Sequence, residues 1–315
     1  MRLRYLVTAL VALVALATLS CNGDDSGPAV TPTVVQEATA TPSPAVFPVT
    51  VADSNGEQLV IESQPESIVA LAPSFVEILF AVGAGDAVVA VDENTDFPPE
   101  AAARTKLSGF EPSMESIAAL EPDLVVIFFD PGGLEEALEG LGIPVLLLAS
   151  PQSVEGVLDQ ILLLGQATGH PNDAQQLIEA MRQDIDATTE KLADVQEGPT
   201  VFHEISPELY TASDEDFAGD LYTLLKAQNI AAGAGPFPQL TEEAVIAADP
   251  EFIILADEPA VTPEEVKARP GWQSISAVRN DRVFAVDPDI VSRQGPRLVD
   301  GLGELARLLY PELFP

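Results

Sequence analysis

The stretch SMESIAALEPDLVVI, Ser113 to Ile127, has a looser copy in TEEAVIAADPEFIIL, Thr241 to Leu255, offset by 128 residues. Aligned without a gap, both keep a hydroxyl residue, a Glu two places on, a Pro seven beyond that, and then an apolar run. A Ser or Thr in this position caps a helix, because its oxygen accepts one of the amide hydrogens that the first turn leaves unpaired. The residue before a proline is driven out of the helical region, so Glu121-Pro122 and Asp249-Pro250 end the helix. Each copy therefore predicts a short helix, a break and a strand apolar on both faces, with a Glu in the first helical turn.

Working outward, the same alternation fills the chain. FPVTVAD and EQLVIE around SNG predict an antiparallel hairpin. SIVAL, AVVAV, LVVIFF and PVLLLA predict strands, separated by helices at SFVEILFAVGA, SMESIAAL and GGLEEALEGL and followed by one at SVEGVLDQILLLGQAT. Strands apolar on both faces and spaced by helices indicate a parallel sheet covered on each side. From Asn172 to Gln196 the rhythm gives way to one stripe, Leu177, Ile178, Met181, Ile185, Leu192 and Val195, at three- and four-residue steps. This predicts a single helix that EGP, Glu197 to Pro199, stops. The alternation then resumes with strands at TVFHEI, LYTAS, EFIILA and RVFAVD, and helices at FAGDLYTLLKAQ, TEEAVIAA, TPEEVKAR and PRLVDGLGELARLLY. The expected fold class is α/β: two Rossmann-like lobes of parallel-rich sheet covered by helices, 49–170 and 198–315, joined by a single long backbone helix, 171–197. Because the copied pattern sits at a comparable place in each lobe, the lobes read as related.

The ends of the chain add a location. MRLRYLVTALVALVALATLSC has two arginines, then an apolar run too short for a comfortable membrane span, then small residues, the order of an export signal. Residues 1–21 are expected to be a signal peptide ending at Cys21, the only cysteine among 315 residues, so no internal disulfide or cysteine metal cluster can form. Cys21 resembles the lipidated cysteine of a bacterial lipoprotein, although Thr18 stands where that motif usually has Leu, with Leu19 one place later. Residues 22–48, rich in Thr, Pro, Ala and Ser, are expected to be a disordered tether. Fifty acidic residues against 14 basic argue against nucleic acid as a partner, since phosphate binding needs a clustered basic surface.

The tools of catalysis are scarce. Only two histidines occur, His170 before Pro171 and His203 inside TVFHEI, and neither has a second His or Cys nearby, so no metal site is expected. No nucleophile elbow and no phosphate loop is present. GAGD, Gly83 to Asp86, lacks the third glycine of a dinucleotide loop and reads as a helix cap and turn. An enzyme working through cleft carboxylates, or a sensor or adhesion lipoprotein, stands as the rival to a binding protein.

Four blocks carry a specific resemblance: SIVALAPSFVEILFAVGAGDAVVAVDENTDFPPEA, SGFEPSMESIAALEPDLVV, GPFPQLTEEAVIAADPEFIILA and GWQSISAVRNDRVFAVDPDIVSRQGPRLVDGLGELARLLYPE. In order and spacing they resemble the extracytoplasmic solute-binding proteins of ABC importers, in the class that takes up cobalamin, haem and ferric siderophores. The resemblance covers about Val49 to Glu312 and implies a monomer that needs no cofactor and performs no covalent chemistry. It implies a ligand held between the lobes and delivered to a permease dimer with its ATPase, from a lipid anchor on the extracytoplasmic side of the cell membrane. By alignment, permease docking falls on Glu115 and Glu243, and ligand contact on Phe110, Tyr210, Phe237 and Arg293, with Asp289 accepting from the ligand or holding the arginine. DPDIVSRQGPRLVDGL looks most like the cobalamin branch, so cobalamin or a related corrinoid is the expected ligand, with a ferric siderophore or haem as the alternative. Trp272 is assigned to packing, Arg297 to a partner in Asp300 or Glu304, and Arg269, Arg279, Arg282 and Arg307 to the surface and helix ends.

Overall fold

The structure is a computed structural model that describes residues 46–256 and 261–315. The expected export signal, Cys21 and nearly all of the tether lie outside the described residues. The chain enters on the expected hairpin, with β1 (Val49–Ala52) and β2 (Gln58–Ile61) antiparallel. Asp53 holds its turn by accepting from the backbone N–H groups of Asn55 and Glu57 at 2.9 and 2.7 Å.

Five parallel strands build the first lobe: β3 (Ile68–Ala70), β4 (Val88–Asp92), β5 (Thr105–Leu107), β6 (Leu124–Ile127) and β7 (Val145–Leu147), in spatial order β5-β4-β3-β6-β7. Their connections carry α1 (Pro73–Ala81), α2 (Pro99–Ala102), α3 (Met114–Ala118) and α4 (Leu134–Glu139), and α5 (Val154–Ala167) follows the last strand. After α6 (Pro171–Glu190), the second lobe has β8 (Thr200–Glu204), β9 (Gln228–Asn229), β10 (Phe252–Leu255) and β11 (Val283–Ala285), all parallel in order β11-β10-β8-β9. Its helices are α7 (Phe217–Leu224), α8 (Glu242–Ala248), α9 (Pro263–Ala268), α10 (Ser276–Arg279), α11 (Pro288–Val291) and α12 (Leu298–Leu309). The run β4-β3-β6-β7 of the first sheet therefore matches β9-β8-β10-β11 of the second, and β5 is the additional edge of the first.

The copied segments occupy equivalent places in these sheets. Ser113 and Thr241 both cap their helices, accepting at 3.2 Å from Ser116 N–H and Ala244 N–H. Glu121 and Asp249, the residues before each proline, both adopt left-handed backbone, φ +47° and +46°. That conformation ends each helix and turns the chain into β6 or β10, the strand next to the first of each sheet.

Two expectations are corrected. The connecting helix ends at Glu190 rather than continuing to 197, so its 20 residues span about 30 Å. Beyond it the chain turns, and the Lys226 ammonium gathers the carbonyls of Leu192 and Val195 at 2.7 and 2.8 Å and that of Ala193 at 3.2 Å, satisfying acceptors that a continued helix would have used itself. Leu192 is still buried, so the apolar stripe outlasts the helix. LYTAS is not a strand: only isolated antiparallel bridges occur there, Glu204 with Thr211 and Tyr210 with Gln239.

The largest apolar cluster is continuous from the hairpin and one face of the first sheet through α5 and α6 to α7 and α12 of the second lobe. The opposite face of each sheet has its own core, with Ile117 and Leu138 in the first lobe and Phe202 and Trp272 in the second. Trp272 is fully buried, as its assignment to packing requires. Gly165 permits the close approach of α5 to α6, since a Cβ there would lie 2.4 Å from that of Ala174.

His203 is buried on β8, with Nδ1 2.7 Å from the Tyr222 hydroxyl. Burial lowers its pKa from 6.5 to about 4. The unfolded chain therefore takes up a proton near pH 6.5 while the folded chain resists until about 4, and the neutral ring's contribution to stability is present above 6.5 and lost as pH falls. Urea unfolding should show about 2 kcal/mol lost between pH 7 and pH 5, a window in which few carboxylates titrate, and His203→Gln should remove most of that slope.

Candidate functional site

In open parallel sheets, ligands bind beyond the carboxyl ends of the strands, where loops diverge and leave a crevice. Here every strand of the first sheet sends residues to one hollow of about 340 Å³: Ala72 and Pro73 after β3, Asp92 and Asn94 at β4, Phe110 after β5, Phe128 after β6, and Ser150 and Pro151 after β7. The second lobe closes it with Pro288, Asp289, Ser292, Arg293 and Gln294, from α11 and the turn that follows. A hollow of about 420 Å³ exists elsewhere, between Glu197, Glu251, Arg282 and Glu312, but it lies mainly at the amino ends of β8, β10 and β11. The hollow between the lobes is the candidate site.

Its wall is aromatic. Phe110 is 62% exposed, yet it is held against Phe128 edge-to-face with ring centroids 5.3 Å apart, and Phe129 stands 4.5 Å from Phe128. The backbone beneath is pinned: the buried Asp92 carboxylate accepts from Gly109 N–H at 2.9 Å and from Asn94 N–H at 2.8 Å. A Cβ on Gly109 would fall 2.4 Å from that carboxylate, so glycine is what lets the loop close down and present Phe110. A rigid exposed ring offers broad contact area with little entropy to lose.

The polar edge is an ion network across the lobes. Glu77 on α1 is fully buried and accepts from Arg297 at 2.7 and 3.1 Å and from Arg293 at 3.3 Å. Arg293 also meets Asp96 at 2.6 Å and Asp289 at 2.8 Å. Burial works against Asp96 ionising, but the hydrogen bond and charge of Arg293 outweigh it and hold its pKa below the usual value. Asp289 shifts the other way: burial raises it against the pull of Arg293, with Asp96 adding to the rise. The Glu77 hydrogen bond raises the Arg297 pKa, and the Arg297 guanidinium lies over the Phe97 ring at 4.4 Å.

The structure brings three of the expected ligand residues, Phe110, Asp289 and Arg293, into one hollow. Tyr210 and Phe237 are not among its lining residues; both are exposed on adjoining segments of the second lobe, where Tyr210 bridges to Gln239 and Thr211 N–H donates to Pro238 O at 3.0 Å. Asp289 does hold the arginine. Arg297 does not pair with Asp300 or Glu304 as expected; Glu77, 220 residues away, takes it. Nor is Arg269 a surface charge, for both its terminal nitrogens bind the buried Glu204 carboxylate. Phe128 and Glu77 were missed from sequence. Phe128 was findable, as the first residue beyond a buried parallel strand.

Glu115 and Glu243 are exposed in the first turns of α3 and α8, each two residues beyond its cap. Among the described residues no group of three His, Cys, Asp or Glu is placed to hold a metal ion, and no helix is long and apolar enough to cross a membrane.

Comparison with known proteins adds a lineage. Residues 68–290 match the periplasmic binding protein family. The chain is 35% identical over 277 residues, 85% of its length and 88% of the other's, to an uncharacterised ABC transporter substrate-binding lipoprotein of Bacillus subtilis. It is 28% identical over 279 residues, 84% of its length and 74% of the other's, to a cobalamin-binding protein of Halobacterium salinarum. Among solved structures it is similar to a periplasmic haem-binding protein of Roseiflexus sp. in apo form, at a TM-score of 0.71 and 26% identity, covering 79% of this chain and 99% of that one.

Proposed function

This chain belongs to the periplasmic binding protein family as the solute-binding component of an ABC importer, not an enzyme, and from that premise we propose that it captures cobalamin or a related corrinoid between its lobes. The observation that carries the reading is the pinned, exposed Phe110 with Phe128 behind it, facing a polar edge across a hollow at the strand ends. A large, mostly apolar ring system with a hydrogen-bonding fringe suits such a wall. The cobalamin-binding relative from Halobacterium salinarum points the same way. A second reading, haem or a ferric siderophore, draws on the exposed Tyr210 phenol, since haem iron accepts a tyrosine ligand. His203 offers no such ligand, being buried against Tyr222.

Titration of the purified protein with cyanocobalamin, haem and a ferric siderophore, followed by absorbance and calorimetry, tests the reading. Cyanocobalamin should bind at micromolar concentration or below, and Phe110→Ala should weaken it about tenfold. Binding of haem or siderophore with none of cyanocobalamin would overturn it.

Delivery follows from the same reading. Lipidated Cys21 and the 22–48 tether would hold the 49–170 and 198–315 lobes of a monomer on the extracytoplasmic side of the membrane. Glu115 and Glu243 would dock one lobe onto each subunit of a permease dimer, whose ATPase powers transport. A lone first-turn Glu needs no partner beyond the helix dipole, but two at matched positions of related lobes fit a pair of receptors. Replacing both with Ala should leave ligand affinity unchanged and abolish uptake into cells or proteoliposomes; intact uptake would remove docking from their role.

A further inference from the structure

The cations of the cleft are already taken. Both terminal nitrogens of Arg293 are engaged, one by Glu77 and Asp96 and the other by Asp289 and the Asn94 carbonyl. Arg297 places its Nε and one terminal nitrogen on Glu77. Three carboxylates thus face two guanidiniums, and the charged side chains that line the hollow itself are Asp92, Asp289 and Arg293, two negative to one positive. Asp92 is spoken for by backbone N–H groups at its own turn. An arginine free to grip a ligand carboxylate would offer its planar fork of donors. Here that fork points into protein carboxylates, and a ligand anion would have to displace Asp96 or Asp289 and then sit beside them.

We propose that Asp96 and Asp289, by occupying Arg293, set the charge selectivity of this site: it takes ligands fringed with uncharged amide or hydroxyl donors, or carrying net positive charge, and rejects carboxylate-fringed ones. The proposal rests on the reading of the hollow as a tetrapyrrole-class site and sharpens it. The fringe of the preferred ligand donates hydrogen bonds to Asp289, which lines the hollow, while Asp96 holds Arg293 from outside it. A charged carboxylate in the same place meets like charge in a partly desolvated setting, where such juxtaposition is costly.

The test compares ligands that differ only in that charge. Cyanocobalamin and its monocarboxylate, in which one side-chain amide is hydrolysed, are titrated into the native protein and into Asp96→Asn/Asp289→Asn at constant ionic strength; haem and its bis-amide form a second pair. The native protein should prefer each amide form by about tenfold or more, and the double variant should lose that preference as Arg293 becomes free to take the carboxylate. The single Asp289→Asn variant, read the same way, should show an intermediate ratio, and thermal unfolding of each variant checks that it is folded. Equal affinity within each pair for the native protein overturns the proposal, as does a preference that survives the double substitution. If neither corrinoid binds but the haem pair shows the preference, the ligand reading has failed and the charge rule stands. Failure of all four to bind sinks both.

Discussion

Replacing Glu77 with Ala should cost about 3–5 kcal/mol of stability, because removing one partner of a buried ion pair strands the charge that remains. One charge is stranded here and a second loses a partner. Arg297 loses both oxygens it holds, and Arg293 loses one of its three carboxylates, while each side chain stays largely buried. The pair is also a tie between lobes, since α1 belongs to the first and the 293–297 turn to the second. The loss should therefore appear as a large fall in the urea midpoint together with greater ligand-free dimensions in solution scattering. Glu77→Gln keeps the shape and one acceptor, so its loss should be roughly half as large. A Glu77→Ala protein as stable as the native chain would show that the arginines find water or other carboxylates at little cost.

The distance of that pair in sequence explains why it was not foreseen. Helix geometry points to partners three or four residues away, or two turns away at seven, and for Arg297 those are Asp300 and Glu304. The actual partner is brought by the fold. The repeat is legible for the opposite reason: the caps at Ser113 and Thr241, the breaks before Pro122 and Pro250, and β6 and β10 depend on local sterics and apolar runs. The edge strands β5 and β9 escaped notice because TKL and QN have no apolar period; their neighbours in the sheet recruit them. The apolar stripe is longer than the connecting helix because Leu192 and Val195 continue it through turns, where the stop is set by Lys226, a residue of the second lobe.

At the site, Phe110, Asp289 and Arg293 are marked out by the family resemblance and by their place past predicted strands; aromatic and basic residues are also scarce in this chain, while Asp289 is one of fifty acidic residues. What they do was less legible. An arginine at a cleft edge reads as a ligand contact until its neighbours are known, and the carboxylates around Arg293 arrive from α1, from the loop after β4 and from α11. Tyr210 and Phe237 share the chemistry expected of a cleft wall, but their backbones pair with one another's segments on the second lobe, outside the hollow.

Arg269→Met should be as damaging as the loss of Glu77, for a related reason in a different place. Glu204, at the carboxyl end of β8, has no exposed side-chain surface, and Arg269 clasps both its oxygens while lying over the Trp272 ring at 4.6 Å. Trp272 in turn packs edge-to-face on Phe202, so the arginine closes a column that runs from the turn after α9 to the sheet. Met fills much of the same volume, and the apolar contact with the indole is largely kept. What remains is a buried carboxylate with no cation, at a cost of about 3–5 kcal/mol in urea unfolding. Adding Glu204→Gln should recover much of it, because an uncharged amide in that place forfeits hydrogen bonds but strands no charge. If the double variant is as unstable as Arg269→Met alone, the loss lies in the cation's packing on Trp272 rather than in the orphaned carboxylate, and Lys, which keeps the charge without the flat stacking face, would then restore little.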